Sequence, residues 1–515
     1  MGHERNPWGS WCMPLLASAV NAPNVAEKGN ETPRLGLRSD QVALLAFVAA
    51  EAVALALLLL FANHRWFWLD EWEFLARRDA GDIGDLLRPH NEHLSVLPIL
   101  VYRGLWRLVG LRAYLPYQLL IILLHLTAVA LLRAVMRRAD VGAWVATAAA
   151  SLFLLFGAGS RNILWAFQIG FVGALVLGLV HLLLSDHDGP IDRRDWLGLL
   201  AGVAGLLASS VAVTMVAVVG LAVLARRGWR VAVFHVAPLA GIFAAWWFLI
   251  ARDDYTGPGI DVAIGPVMRF VGIGVVAAFD AIGQLPGVGV VLGVLVAVGL
   301  RVAWGRLDIM DLRRRAAAPA ALLVGAIVFL VITGLGRATS AAGPESARAS
   351  RYVHLVVAMV LPAVAVAADA VARRWRQLAP IVLVLAVIGV PGNVRLLIRE
   401  HRVDASYHQR NRVRMLSWAR LPAAKEVPRW VRPEPGYKEA PAVTIGWLLD
   451  GVDSGRMPDP GPLGPAQQTA MTDHLHLVLL QQNILRACLE ARQAHGGSPS
   501  ERRSSNACGA LVKRP

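Results

Sequence analysis

Apolar runs of roughly 20 residues, separated by short polar segments, recur from residue 43 to residue 391, and each is about long enough to cross a ~30 Å hydrocarbon layer as a helix. The pattern predicts spans near 42–62, 115–135, 143–158, 168–185, 231–250, 286–304, 316–334, 353–371 and 378–391. Residues 196–225 form one longer apolar stretch, which as a single helix would run ~45 Å, too long for the hydrocarbon core. A break at Ser209-Ser210 gives two short spans and returns Arg226, Arg227 and Arg230 to the side from which they started. The segment 262–284 is apolar but carries Arg269 and Asp280. As a full span it would invert every later loop, so it is expected to lie along the outer interface or dip in partway. The expected fold class is an all-α polytopic membrane protein with about 11 transmembrane helices, outer interfacial helices and a small C-terminal extracytoplasmic domain.

Composition agrees with this pattern. Hydrophobic residues make up 56% and charged residues 17%, against about 25% charged in a typical soluble chain, and the mean hydropathy is +0.51. The net charge of +15 could be taken for a nucleic-acid footprint, but its distribution argues otherwise. Arginines cluster at Arg137-Arg138, Arg193-Arg194, Arg226-Arg227, Arg313-Arg314-Arg315 and Arg373-Arg374, each beside an apolar run. Cytoplasmic loops are enriched in this way and attract anionic headgroups, so the expected partners include membrane lipids and no nucleic acid.

The organisation that follows is a polar, disordered cytoplasmic tail over 1–40, a multi-span domain over 41–391 with an outer loop at 63–114, and an extracytoplasmic region over 392–515 with a disordered end. The expected location is the plasma membrane, with the N-terminus cytoplasmic. Among the three cysteines, Cys12, Cys488 and Cys508, no metal-ligand spacing occurs, and Cys488 and Cys508 could pair in an oxidising compartment.

The candidate chemistry is concentrated in the outer loop, which reads Trp66-Phe67-Trp68-Leu69-Asp70-Glu71-Trp72-Glu73 and then His90-Asn91-Glu92-His93. Charged groups beside apolar rings lose solvation, which makes three carboxylates among three tryptophans costly. Helical spacing puts Asp70 and Glu73 on one face and Glu71 on another. A carboxylate against an apolar wall can act as a general base; the alternative is an aromatic belt with the acids turned to water. Two imidazoles with Glu92 can ligate a divalent cation, although hydrogen bonding to substrate or a helix start suits the His90–His93 spacing better. Arg161 with Asn162, and Arg337, Arg348 and Arg351 with Tyr352, fall on the outer side, where arginine is expected to be scarce. They can grip phosphate oxygens or pair with outer carboxylates. Trp165 and Gln168 lie where they could line the same cavity, or Trp165 could be an interfacial anchor. Glu51, inside the first run, costs about 2.5–3.5 kcal/mol to insert unless partnered. His125, His181, His235 and His354 read as bonded core histidines. No GxxxxGK[ST], GxSxG or HExxH string occurs.

The string WLDEWEFL at 68–75, the stretch PHNEHLSVLPILVYR at 89–103 and SRY at 350–352 resemble the GT-C class of glycosyltransferases, in which an Asp-Glu pair opens the first outer loop. Together with SRNILWAFQIGF at 160–171, the chain also resembles a group of uncharacterised multi-span proteins of high-GC Gram-positive bacteria. The GT-C resemblance implies transfer of a sugar from a polyprenyl-phosphate donor to a cell-envelope glycan or lipid acceptor on the outer face, with inversion. It implies Asp70 as general base, with Glu71 as the substitute. It further implies that the outer arginines hold the donor phosphate; with the residue reading above, the expected substrate site draws on Trp68, His90, Asn91, Glu92, His93, Arg161, Asn162, Trp165, Gln168, Arg348, Arg351 and Tyr352. No metal ligands are assigned, because the second Asp-bearing outer motif of metal-dependent members is absent. Two other classes fit the same chain: a transporter or flippase of an envelope precursor, and a non-catalytic envelope-assembly scaffold.

Overall fold

The computed structural model describes residues 38–254, 263–305, 309–436 and 440–494. The expected tail through residue 37 and the disordered end lie outside these, as do Cys12 and Cys508. Cys488 is disulfide-bonded. Among the described residues the protein is all-helical (79% helix). Among them eight helices are long and apolar enough to cross a membrane, or nine if the bent pair Ala143–Leu154 and Gly157–Leu164 is one crossing. The expectation of about eleven counted shorter apolar helices, which fall below that length, and left out 262–284, whose helix Ile264–Gly283 is among the eight.

Helix α1 spans Ser39–Ala62 and leads into the loop, which contains α2 (Ile83–Leu87) and α3 (Val96–Leu108). Helix α4 (Leu115–Arg138) opens with Pro116 in its first turn and closes on Arg137 and Arg138, which complement the dipole at a C-terminus. Helices α5 (Ala143–Leu154), the short α6 (Ser160–Leu164) and α7 (Ile169–Ser185) follow. The long apolar stretch does break. Helix α8 (Arg193–Ala208) is started by Asp192, which caps Arg194 N–H, while Asp195 reaches back to Asp192 N–H. Ser209 is extended, and α9 (Ala212–Arg227) runs back until Gly228, at φ 91°, ends it. The Arg227–Asp195 ion pair at 2.5 Å joins the start of α8 to the end of α9, so the two form a hairpin.

Ion pairs divide the protein into two ends. At one, Arg138 and Arg226 meet Asp186, Arg315 meets Asp140 at 2.7 Å, and Arg373 meets Asp369 at 2.6 Å. Exposed Trp144, Trp196, Trp229 and Trp375 adjoin these loops. At the other end lie the 63–114 loop, Ser209-Ser210 and the Arg337–Glu92 pair at 4.0 Å. Helix α10 (Trp229–Trp246) continues helically to Asp254 and ends at the loop side.

Helix α11 (Ile264–Gly283) begins at the loop end, where Arg269 faces Glu345 at 3.8 Å. Helix α13 (Ile309–Arg337) begins at the arginine end, where Arg314 faces Asp188 at 3.7 Å. Helix α11 and helix α12 (Val288–Trp304) therefore traverse the molecule once between them. They bend at Gln284–Gly287, both of which have positive φ. Helix α14 (Ser350–Arg374) returns to the arginine end, and α15 (Ala379–Val387) and α16 (Val390–Trp418) lead back.

Helix α16 runs unbroken past residue 391, and the segment beyond it folds onto the loop. Asn411 Nδ2 donates to Phe67 O at 3.4 Å. Helix α17 (Ile445–Asp453) brings Trp447 to stack on Trp106 at 4.6 Å, and Leu111 N–H donates to Arg456 O at 2.8 Å. Helix α18 (Pro465–Ala494) closes the described chain, and one hydrophobic cluster runs from Phe47 to Val478. Where α5 ends, Gly157 lies against α16 so closely that a Cβ there would sit 1.9 Å from Asn393 O.

Candidate functional site

After Leu69, which has φ 49°, the chain makes a helical turn that sends neighbouring carboxylates to opposite sides. Asp70 and Glu73 line a cavity of about 660 Å³, as their spacing predicts. Glu71 turns inward and is fully buried. Its Oε1 accepts from Tyr102 OH at 2.6 Å and Tyr114 OH at 2.8 Å; its Oε2 accepts from Trp68 N–H at 2.8 Å and Trp165 Nε1–H at 3.1 Å. All four donors favour the ionised form, yet burial outweighs them and pushes the carboxyl up to about 7. Enclosed in this way, Glu71 has no face open to a substrate and serves to hold the loop, not to substitute for Asp70.

The belt alternative fails for two of the three tryptophans. Trp66 and Trp72 are buried, packed edge to face at 5.3 Å, and the exposed tryptophans named above are at the opposite end.

Around Asp70 the geometry is tight. Its side chain is 24% exposed, and His90 Nε2 lies 3.8 Å from Oδ1. Burial raises its pKa first of all, against a hydrogen bond from Asn91 and the field of Arg351. His90 is pushed down to about 3 and His93 to about 4, burial again being the largest cause, so both are neutral near pH 7. Nε2 of His90 takes a hydrogen bond from Asn91 Nδ2 at 3.2 Å, which leaves its proton on Nδ1, away from Asp70. His90 and His93 exchange two 2.9 Å backbone bonds across Asn91 and Glu92, whose φ values are 47° and 70°. This is the tight hairpin turn in which glycine is usual at positive φ. A glutamate held there is strained, and such strain gathers at functional sites.

Arg78 fastens the far wall. Its guanidinium donates to the carbonyls of Asp85, Arg88 and Pro89 at 2.6, 2.9 and 2.8 Å. Trp246 Nε1–H of α10 donates to Leu87 O at 2.8 Å, and Trp247, Ala251 and Asp254 complete the lining from beyond it. Arg77, Arg88 and Arg337 also line the cavity, paired with Glu73, Asp85 and Glu92.

A second group of expected residues assembles beside this cavity. Arg161 lies over the Trp68 ring at 5.6 Å, and Trp68 packs on Trp165 at 5.3 Å. Asn162 Nδ2 donates to Arg351 O at 3.0 Å, and Arg161 N–H to Ser350 Oγ at 3.3 Å. Arg351 Nη2 donates to Tyr352 OH at 3.2 Å, and Gln168 is buried with its Oε1 unpaired. Among the described residues Arg161 and Arg351 form no ion pair, whereas Arg348 is held by Glu345 at 3.1 Å. The carboxylate-pairing reading thus describes Arg337 and Arg348 but not Arg161 and Arg351.

His90, Glu92 and His93 do not close into a metal-binding set. Among the described residues one such set exists, His187, Asp192 and Asp195 at the arginine end, where Arg227 already occupies Asp195. Inside the helices, His354 Nε2 meets His125 Nδ1 at 3.2 Å and His181 Nε2 meets His235 Nδ1 at 2.9 Å, so these are bonded core histidines.

Sequence reasoning missed Tyr102 and Tyr114, Arg78, and the wall given by Trp247 and Asp254. Only Arg78, directly after the acids, carried a local signal. No known protein family, curated protein or solved structure matches the chain.

Proposed function

We propose that the protein is a membrane glycosyltransferase that moves a sugar from a polyprenyl-phosphate donor to a hydroxyl of a cell-envelope glycan or lipid. The observation that carries this reading is Asp70, three-quarters buried on the wall of a polar cavity at the end away from the arginine loops. Its burial-raised pKa makes it a stronger base than a free carboxylate.

In the proposed reaction Asp70 takes the proton of the acceptor hydroxyl as that oxygen bonds to the anomeric carbon. The bond from that carbon to the phosphate oxygen breaks, inverting the centre and releasing polyprenyl phosphate. Arg351, which among the described residues has no ion pair and whose field reaches Asp70, is the first candidate to hold the phosphate, with Arg161 beside it. His90 and Asn91 orient Asp70 and hydrogen-bond the sugar. We place the cavity end outside and the arginine end in the cytoplasm. The loop arginines and a disulfide at Cys488 support that orientation.

The test is sugar transfer in membrane vesicles supplied with a polyprenyl-phosphate-linked sugar. Asp70→Asn should lose at least about 10²-fold in rate, the usual worth of a general base, with its thermal midpoint kept. Transfer at the wild-type rate in that variant removes the proposal.

A further inference from the structure

A second cavity, of about 510 Å³, lies far along the helices from Asp70, between α5, α12, α14 and α15. Leu152, Leu295, Leu361, Ala372, Val382 and Ala386 are among its walls. Its single hydroxyl-bearing lining residue, Thr147, is already engaged with Ala43 O at 3.1 Å and with Arg133. The volume falls in the roughly 300–1,000 Å³ range of small-molecule sites. Walls this apolar offer dispersion contacts to a hydrocarbon chain and no hydrogen-bonding partner to a polar ligand.

Depth and charge say which hydrocarbon. Leu361 and Ala372 both line the groove and are eleven residues apart on α14, roughly 16 Å at 1.5 Å per residue. That is about half of a ~30 Å hydrocarbon core, the depth of one leaflet. The groove ends at the arginine end of the molecule. Ala372 and Ala379 line it, and between them in sequence stand Arg373, Arg374, Trp375 and Arg376. Arg373 is spent on Asp369 and on Asp140 O. Arg374 and Arg376 are exposed and, among the described residues, form no ion pair. Exposed Trp144 lines the same mouth, its Nε1–H bonded to Ser39 Oγ at 3.1 Å. The other carboxylates at that mouth, Asp40 and Asp140, are taken by Arg137 and Arg315.

We propose that this groove is a binding site for one anionic phospholipid of the leaflet at the arginine end. Its acyl chain fills the groove and its phosphate is held by Arg374 and Arg376. The site is independent of the transferase reading.

The full chain in detergent would be exchanged into micelles doped with phosphatidylglycerol, phosphatidylcholine or undecaprenyl phosphate, and the retained lipid counted by native mass spectrometry. One phosphatidylglycerol should be retained in preference to phosphatidylcholine. Arg374→Gln with Arg376→Gln should lower its population at least tenfold. Ala386→Phe, which fills the groove, should abolish it with the thermal midpoint unchanged, and Ala148→Leu serves if that variant misfolds. Equal retention of phosphatidylcholine, retention in the arginine variant or the groove-filled variant, or preferential retention of undecaprenyl phosphate would each overturn the proposal.

Discussion

Replacing Glu71 by glutamine should remove a loss of stability with rising pH that this carboxyl imposes between pH 4.5 and about 7. Burial lifts this carboxyl from 4.5 to about 7 against four hydrogen-bond donors. At 1.36 kcal/mol per pKa unit, that is about 3 kcal/mol of differential stability. The folded chain holds the Glu71 proton more tightly than the unfolded chain. The Glu71 contribution is therefore greatest below pH 4.5, declines as pH rises through 7, and levels off above it. At about 2.1 cal/mol/K per residue over 515 residues, about 3 kcal/mol corresponds to a fall of roughly 3 °C in thermal midpoint between pH 5 and pH 8. Glutamine keeps an oxygen for Trp68 N–H and Trp165 Nε1–H and turns its NH₂ toward the two tyrosine hydroxyls, mimicking the protonated acid. Asp70 shifts in the same direction, so both proteins should carry Asp70→Asn. The assay is the thermal midpoint in detergent across pH 5–8. The buried neutral His90 and His93 contribute equally to both proteins, so the difference between the two slopes isolates Glu71, and equal slopes with and without Glu71→Gln would refute the reasoning.

Other substitutions test the supports of the site. Arg78→Ala frees the carbonyls of Asp85, Arg88 and Pro89; at about 1.5–3 kcal/mol per bond to a charged donor, segment 79–90 should become cleavable under limited proteolysis, while Arg77→Ala leaves it protected. Gly157→Ala forces a Cβ onto the Asn393 carbonyl and should abolish the folded monomer in size-exclusion chromatography, whereas Gly104→Ala, with open space around it, should not. A double-mutant cycle of Trp106→Ala and Trp447→Ala should give a coupling of about 0.5–1.5 kcal/mol from their stacking, and zero coupling would mean the C-terminal segment is not seated on the loop.

Local signals carried the features they could reach. The Ser209-Ser210 break followed from helix length against membrane thickness, and the common end of the arginine loops from charge alone. The split of Asp70 and Glu73 from Glu71 followed from helical spacing. Glu71 was misjudged because its partners come from 31, 43 and 94 residues away, and no local pattern marks Tyr102, Tyr114 and Trp165 as donors to one carboxylate. The buried Trp66 and Trp72 have the composition of an interfacial belt; what decides against it is the cover supplied by Trp447 and Phe67. Helix α16 starts at Val390 with Pro391 in its first turn, where proline suits a helix, and arginine, leucine and glutamate soon after are good helix formers, so the loss of hydropathy ends the apolar run but not the helical structure.

The two walls of the Asp70 cavity differ in how they are anchored. Glu71 rivets one to the protein interior. The other is held by Arg78 and also, through Leu87 and Trp246, by a 26-residue helix that is largely uncovered by protein. At 1.5 Å per residue that helix is about 39 Å long, more than a ~30 Å hydrocarbon core, so it is expected to lean. A thinner bilayer should make it lean further and shift this wall against the other. The expected consequence is a chamber whose width follows the thickness of the surrounding lipid.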